Sequence, residues 1–172
     1  IYLNDTFALQ TGNADERFGD SSSVVVPSST VVTLGANNSD VNENGDNYIM
    51  YCFHSVEGYS RFGSYTGNGS TDGTFVYLGF RPAFLLYKRT DSTGNWLIDD
   101  NKTQTFNPDS NYLLADSSDA EGDTTTNTAG HVFDMLSNGF KMRNTNSARN
   151  ASGANYIYIA FASAPFKYAN AR

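Results

Sequence analysis

The local motif best suited to chemistry is Asp40-Val41-Asn42-Glu43-Asn44-Gly45-Asp46. It opens like a calcium-binding loop, where alternate side-chain oxygens converge on a hard cation and glycine permits the bend. Asp40, Asn42, Asn44 and Asp46 are thus the candidate metal ligands, and calcium the candidate ion. The motif fails where it should close, because its twelfth position requires a bidentate Glu and holds Tyr51. An Asn/Gly-rich turn entering a strand explains the same residues more simply. A second acidic group, Asp116, Asp119, Glu121 and Asp123, could gather on a cation, but reads more plainly as a solvated loop. Asp99-Asp100 could pair with Arg61, Arg81 or Arg89 as surface ion pairs of little worth.

The catalytic inventory is thin. A Ser-His-Asp hydrolase would have to use His54 or His131, and neither lies in a nucleophile-elbow setting. A glycosidase needs two carboxylates, and the chain has 18 acids. None of them stands in an aromatic, apolar run that would raise its pKa. We therefore expect no enzyme and no catalytic or cofactor-binding residue. Tyr59, Tyr65, Tyr77 and Tyr112 could stack on sugar rings, although a chain with 11 Tyr uses most of them in its core. The single cysteine, Cys52, can form no internal disulfide, and its apolar surround predicts a small buried hydrophobe.

The elements that must hold these residues are strands. The 172 residues include 12 Phe and 11 Tyr, with 39% apolar and only 17% charged. Gly, Ser, Thr and Asn abound while the helix formers are scarce, a composition of short strands joined by polar turns. The net charge of −7 makes nucleic acid and anionic lipid poor partners. No apolar run approaches the length of a membrane-spanning helix. A start at Ile1, with no signal-like segment, leads us to expect a processed piece or a fragment.

One strand-like pattern occurs twice. Asn47-Tyr48-Ile49-Met50-Tyr51-Cys52-Phe53-His54-Ser55 and Asn155-Tyr156-Ile157-Tyr158-Ile159-Ala160-Phe161-Ala162-Ser163 share Asn-Tyr-Ile at the start and Phe-x-Ser at the end, and Gly45 and Gly153 stand two places ahead of them. Alternation gives each copy two faces, and we assign Ile49, Tyr51 and Phe53, with Ile157, Ile159 and Phe161, to the core. Further strands are expected at 30–34, 61–66, 74–80, 83–89, 95–99, 112–114, 131–134 and 139–143, with Trp96 as a core anchor. The order of elements before each copy suggests a tandem arrangement: 1–56 as the C-terminal part of a first repeat, 57–172 as a complete one.

Several runs carry a resemblance. They are Val56 to Gly73, Gly79-Phe80-Arg81-Pro82-Ala83-Phe84, Ser137-Asn138-Gly139-Phe140-Lys141, and Tyr156 to Ala162 followed by Pro165-Phe166. Together they resemble a repeated β-sandwich domain of uncharacterised function in marine bacteriophage virion and tail-fibre-like proteins. The resemblance covers about 50–172 well and 1–50 loosely. It implies an antiparallel β-sandwich of jelly-roll or concanavalin-like type, and transfers no active-site residue.

The expectation is an all-β, non-enzymatic virion structural protein, extracellular on the particle. It would be a surface fibre or appendage module involved in host attachment. Its expected partners are copies of itself, as a trimer of the kind fibres form, other virion proteins, and a host surface glycan. The alternatives are a secreted or cell-surface lectin-like module and, further off, a glycan-degrading tailspike enzyme.

Overall fold

A computed structural model describes residues 3, 5–9, 25, 27–35, 41–123 and 132–163. The chain divides into two compact units, Ile1–Leu9 with His54–Arg172 and Gln10–Phe53. Among the described residues all the assigned strands lie in the first unit, and none of these residues is helical. They are β1 (Ser60–Thr66), β2 (Phe75–Tyr77), β3 (Pro82–Arg89), β4 (Leu97–Asp100), β5 (Asn111–Leu114), β6 (Gly122–Asp123), β7 (Phe133–Leu136), β8 (Gly139–Met142) and β9 (Asn155–Ala162).

Two antiparallel sheets result. The larger has the order β1-β9-β3-β4-β5-β6, and the smaller β2-β8-β7. Turn chemistry sets the joins, with β7 and β8 closing around Ser137-Asn138 so that Leu136 faces Gly139. Pro82 opens β3, where a missing N–H costs no ladder bond. The sheets share one apolar cluster, making the unit β-sandwich-like. Leu85, Tyr87 and Leu97 come from one sheet, and Phe133, Phe140 and Met142 from the other.

The strand β9 lies between β1 and β3 and pairs with both. Its core face is the opposite of the one assigned from the sequence. Tyr156, Tyr158 and Ala160 are buried, while Ile157, Ile159 and Phe161 are half-buried on the other side. The reason is that the phenols are accommodated inside. Tyr156 stacks on Tyr65 at 4.8 Å between ring centroids, and its hydroxyl donates to the Ser147 carbonyl at 2.8 Å and accepts from the Ala151 N–H at 2.9 Å. Tyr158 meets Phe140 of the other sheet edge-on. On the outer face Phe161 packs against Tyr59, Phe62 and Phe84.

Residues 47–55 form no strand in this structure. Ile49 is 82% exposed, Tyr51 79% and Phe53 65%, so the core role expected for them is not seen. Cys52 is exposed as well, contrary to its expected burial. A strand at 30–34 is also absent. The Ser28 hydroxyl accepts the N–H groups of Thr30 and Val31, a local turn that competes with a ladder. Of the strand expected at 131–134, His131 lies outside the described residues.

One side chain ties the loop before β9 to the β1–β2 connection. Asn150 is fully buried; its amide donates to the Asn144 carbonyl at 2.8 Å and the Ser70 carbonyl at 2.9 Å. Its oxygen accepts the Asn68 N–H at 3.0 Å. Asn150→Ala leaves these buried groups without partners, and is expected to lower the unfolding free energy by about 3 kcal/mol in urea titration.

Candidate functional site

The loop between β8 and β9 is wound by its own asparagines. Asn144 Oδ1 accepts from the Asn146 N–H at 2.9 Å, and Asn146 Oδ1 from the Ala148 N–H at 2.8 Å. Asn144 also donates to the Val132 carbonyl at 2.7 Å, pinning the loop beside β7. This winding delivers Arg149, whose side chain is fully buried.

The guanidinium meets Asp99 of β4 through two bonds, Nη2 to Oδ1 at 2.9 Å and Nη1 to Oδ2 at 3.2 Å. It also lies 5.3 Å from the ring centroids of Tyr87 and Phe133, and 5.4 Å from that of Tyr112. Tyr65 donates to the Arg149 carbonyl at 2.8 Å. Burial pushes the Asp99 carboxyl up, against the opposing pull of the guanidinium. Burial is the strongest single influence on Arg149 and would lower it, but Asp99 together with Tyr87 and Tyr65 leaves the guanidinium raised. The surface pairing expected for Asp99 is therefore corrected. Leu97 and Asp99 share a face of β4, so the alternation that buries Leu97 buries Asp99 too. Asp100, on the other face, caps a turn by accepting from the N–H groups of Lys102 and Thr103.

A third charged group stands close by. Asp109 is 2% exposed, and its backbone pairs with Phe133 in both directions. Oδ1 accepts the Asn111 N–H at 3.2 Å, whereas the buried Oδ2 makes no hydrogen bond. Burial, reinforced by the Asp99 charge, pushes this carboxyl up to about 7.

Over this centre opens a cleft of about 330 Å³. It is lined by Arg89, the β3–β4 turn from Ser92 to Asn95 and Ser147, whose carbonyl accepts from Arg89 Nη1 at 3.4 Å, with Leu97, Tyr112, Leu114 and Ala148 as its apolar surfaces. Several of these groups are tied down. Arg89 Nε donates to Asp91 Oδ1 at 2.6 Å, and that bond holds the guanidinium above its ordinary value. Lys88, buried, donates Nζ to the carbonyls of Thr6 and Gly94. Asp116 Oδ1 accepts from Asn95 Nδ2 and from the Trp96 N–H, each at 3.2 Å. Among the described residues the lining combines hydroxyl, amide and guanidinium groups with apolar surface, and includes no carboxylate, thiol or imidazole.

The residues picked out from the sequence go elsewhere. Asn42, Asn44 and Asp46 are exposed, and Asp40 lies outside the described residues. Asn42 directs its amide to the Gly35 carbonyl, and the Asp46 N–H bonds to the Glu43 carbonyl, an ordinary turn. Among the described residues no three His, Cys, Asp or Glu side chains are grouped to hold a metal. The acidic stretch is divided as well: Asp116 pins the β4 entry and Glu121 accepts from Asn111. His54 is exposed. Of the four tyrosines considered for sugar contact, Tyr65 is buried in the core, Tyr77 is exposed away from the lining, Tyr59 packs on Phe161, and Tyr112 alone lines the cleft.

The Asp109 environment generates a pH dependence whose sign is opposite to that of a salt-bridged acid. A folded-state pKa of about 7, above the unfolded value near ~3.9, means that the native state binds the proton more tightly. The resulting stabilisation is full below about pH 4 and is lost as pH rises through about 7. Tm is therefore expected to fall as pH rises from about 4 to about 7, levelling off above that, and Asp109→Asn should flatten that part of the calorimetric profile.

No curated protein and no solved structure gives a significant match to the chain. One family model does, over residues 1–165, and its description is a domain of unknown function, DUF7483. Since the match runs through every strand and through the loop that carries Arg149, the chain belongs to the DUF7483 family.

Proposed function

We propose that the chain is a non-enzymatic structural module of a virion, part of a surface fibre or appendage, that takes part in host attachment. The observation that carries this reading is the exposed apolar run at 48–53. Tyr48, Ile49, Met50, Tyr51 and Phe53 are between 43% and 82% exposed within one short stretch. Such a patch marks a contact surface on a protein that works in company. The charged residues within the sandwich-like unit are engaged in holding loops, as Arg149, Lys88 and Asp116 are. The resemblance to phage virion proteins supplies the setting. Tandem organisation, with 1–56 closing an upstream copy, is supported by the match between 47–55 and β9 and by a shared backbone device. Gly45 and Gly153 precede the two stretches by the same spacing, and both take a positive φ, 94° and 74°, where glycine is favoured. A jelly-roll or concanavalin-like connectivity belongs to the same reading.

The cleft favours a second reading, a lectin-like module that is secreted or displayed on a cell surface. Immunogold labelling with an antibody to this chain separates the two, since only the first predicts label on purified particles.

The module is expected to assemble with itself, as a trimer in a fibre. Light scattering at micromolar concentration should give about three times the 18.8 kDa chain mass, and Ile49→Glu with Tyr51→Glu should reduce it to the monomer. A monodisperse unsubstituted monomer contradicts the assembly. Incubation with host polysaccharide is expected to release no reducing ends; their release would overturn the non-enzymatic reading.

A further inference from the structure

We infer that the cleft between the β3–β4 turn and the loop before β9 is a binding site for a neutral, hydroxyl-rich ligand of one or two sugar rings. The inference rests on the attachment reading only in taking the ligand from a surface glycan. Its volume of about 330 Å³ stands at the small end of the ~300–1,000 Å³ range of ligand pockets, which suits a short saccharide.

The chemistry of the lining narrows the class. Its polar groups are the Ser92 and Thr93 hydroxyls, Asn95, Ser147 and Arg89. Apolar surface comes from Leu97, Tyr112, Leu114 and Ala148. A saccharide has the same division, with hydroxyls around its edge and C–H groups on its faces. Charge argues against an anion. Arg89, the lining's only cation, already faces Asp91 at 2.6 Å, and Lys88 is directed to the backbone carbonyls of Thr6 and Gly94. The Asp91 carboxylate already offsets the Arg89 charge and would repel an incoming phosphate or carboxylate, whereas a neutral hydroxyl can accept from the remaining guanidinium N–H groups without that repulsion.

The lining is also held in place before any ligand arrives. The Gly94 N–H donates to the Thr6 carbonyl at 2.8 Å, and Asn95 is fixed by Asp116. The Ser147 carbonyl accepts from the Tyr156 hydroxyl at 2.8 Å. Tyr112 is braced by the Arg149 guanidinium and by Gly122 across the ladder, where an added Cβ would lie 2.3 Å from the tyrosine Cζ. Groups already ordered lose little entropy on binding, which is how a small site achieves useful affinity.

The test is amide chemical-shift mapping on the full ¹⁵N-labelled chain. The probes are neutral hexoses, N-acetylhexosamines and their disaccharides, with sulfate and sialic acid as anionic controls. At least one neutral probe is expected to give saturable shifts at Gly94, Asn95, Leu114 and Ala148 with Kd on the order of 1 mM. Ser92→Trp and Thr93→Trp, both in the lining and outside the core, should each weaken it at least tenfold while leaving the remaining spectrum in place. Shifts by anions alone, shifts confined to other residues, or no shift with any neutral probe would overturn the site. Adhesion of the chain to cells that survives Ser92→Trp would overturn the cleft but spare the attachment reading. Sugar binding without adhesion would do the reverse.

Discussion

The architecture depends on burying one guanidinium. Arg149 loses all contact with water, and that desolvation is costly unless each charge is met by another in good geometry. Asp99 meets it with two bonds, and three aromatic rings from β3, β5 and β7 surround it. These strands come from both sheets, so this one side chain links the layers and the loop at once. The pair need not add stability compared with an apolar filling of the same volume. What it adds is uniqueness: the loop has one place to go, because any other register leaves Asp99 charged and alone.

That constraint propagates outward to the cleft. With Arg149 inserted, Ala148 and Ser147 are set in the same lining as the β3–β4 turn. Asn150 on the other side ties the same loop to the β1–β2 connection through Asn68 and Ser70. A polar loop thus acquires the order of a core element, although few of its residues are apolar. The remaining charges follow the same logic of short-range anchoring. Lys88 secures the β3–β4 turn, Asp116 the start of β4, and Asp134 pairs with Arg143 at 2.6 Å.

Much of the fold was legible in the sequence. Runs of aromatic and β-branched residues between Gly/Asn/Asp turns predicted β1, β3, β4, β5, β8 and β9 to within a few residues. Less legible was which face turns inward. In β9 the aliphatic face was the natural choice, yet the tyrosines went inside because loop groups at Ser147 and Ala151 satisfy a phenol. The stretch 47–55 carries the same local pattern without a ladder, since strand formation depends on a neighbouring strand as much as on propensity. The site itself was missed for a related reason. Asp99 could have been found, because it falls in phase with Leu97 on a strand with one buried face. Its partner lies fifty residues on, in an asparagine-rich loop, and no local spacing announces that contact. Cleft walls assembled from separate turns are equally invisible before the chain is folded.

The claim that Arg149 and Asp99 act as one unit is tested most directly by a double-mutant cycle on unfolding free energy, using Asp99→Asn and Arg149→Met. Each single substitution strands a buried partner and should cost about 3–5 kcal/mol. The double variant should cost no more than the worse single one, a coupling of about 3 kcal/mol or more. Single costs that add to within about 0.5 kcal/mol would show two independent residues, and would contradict the account.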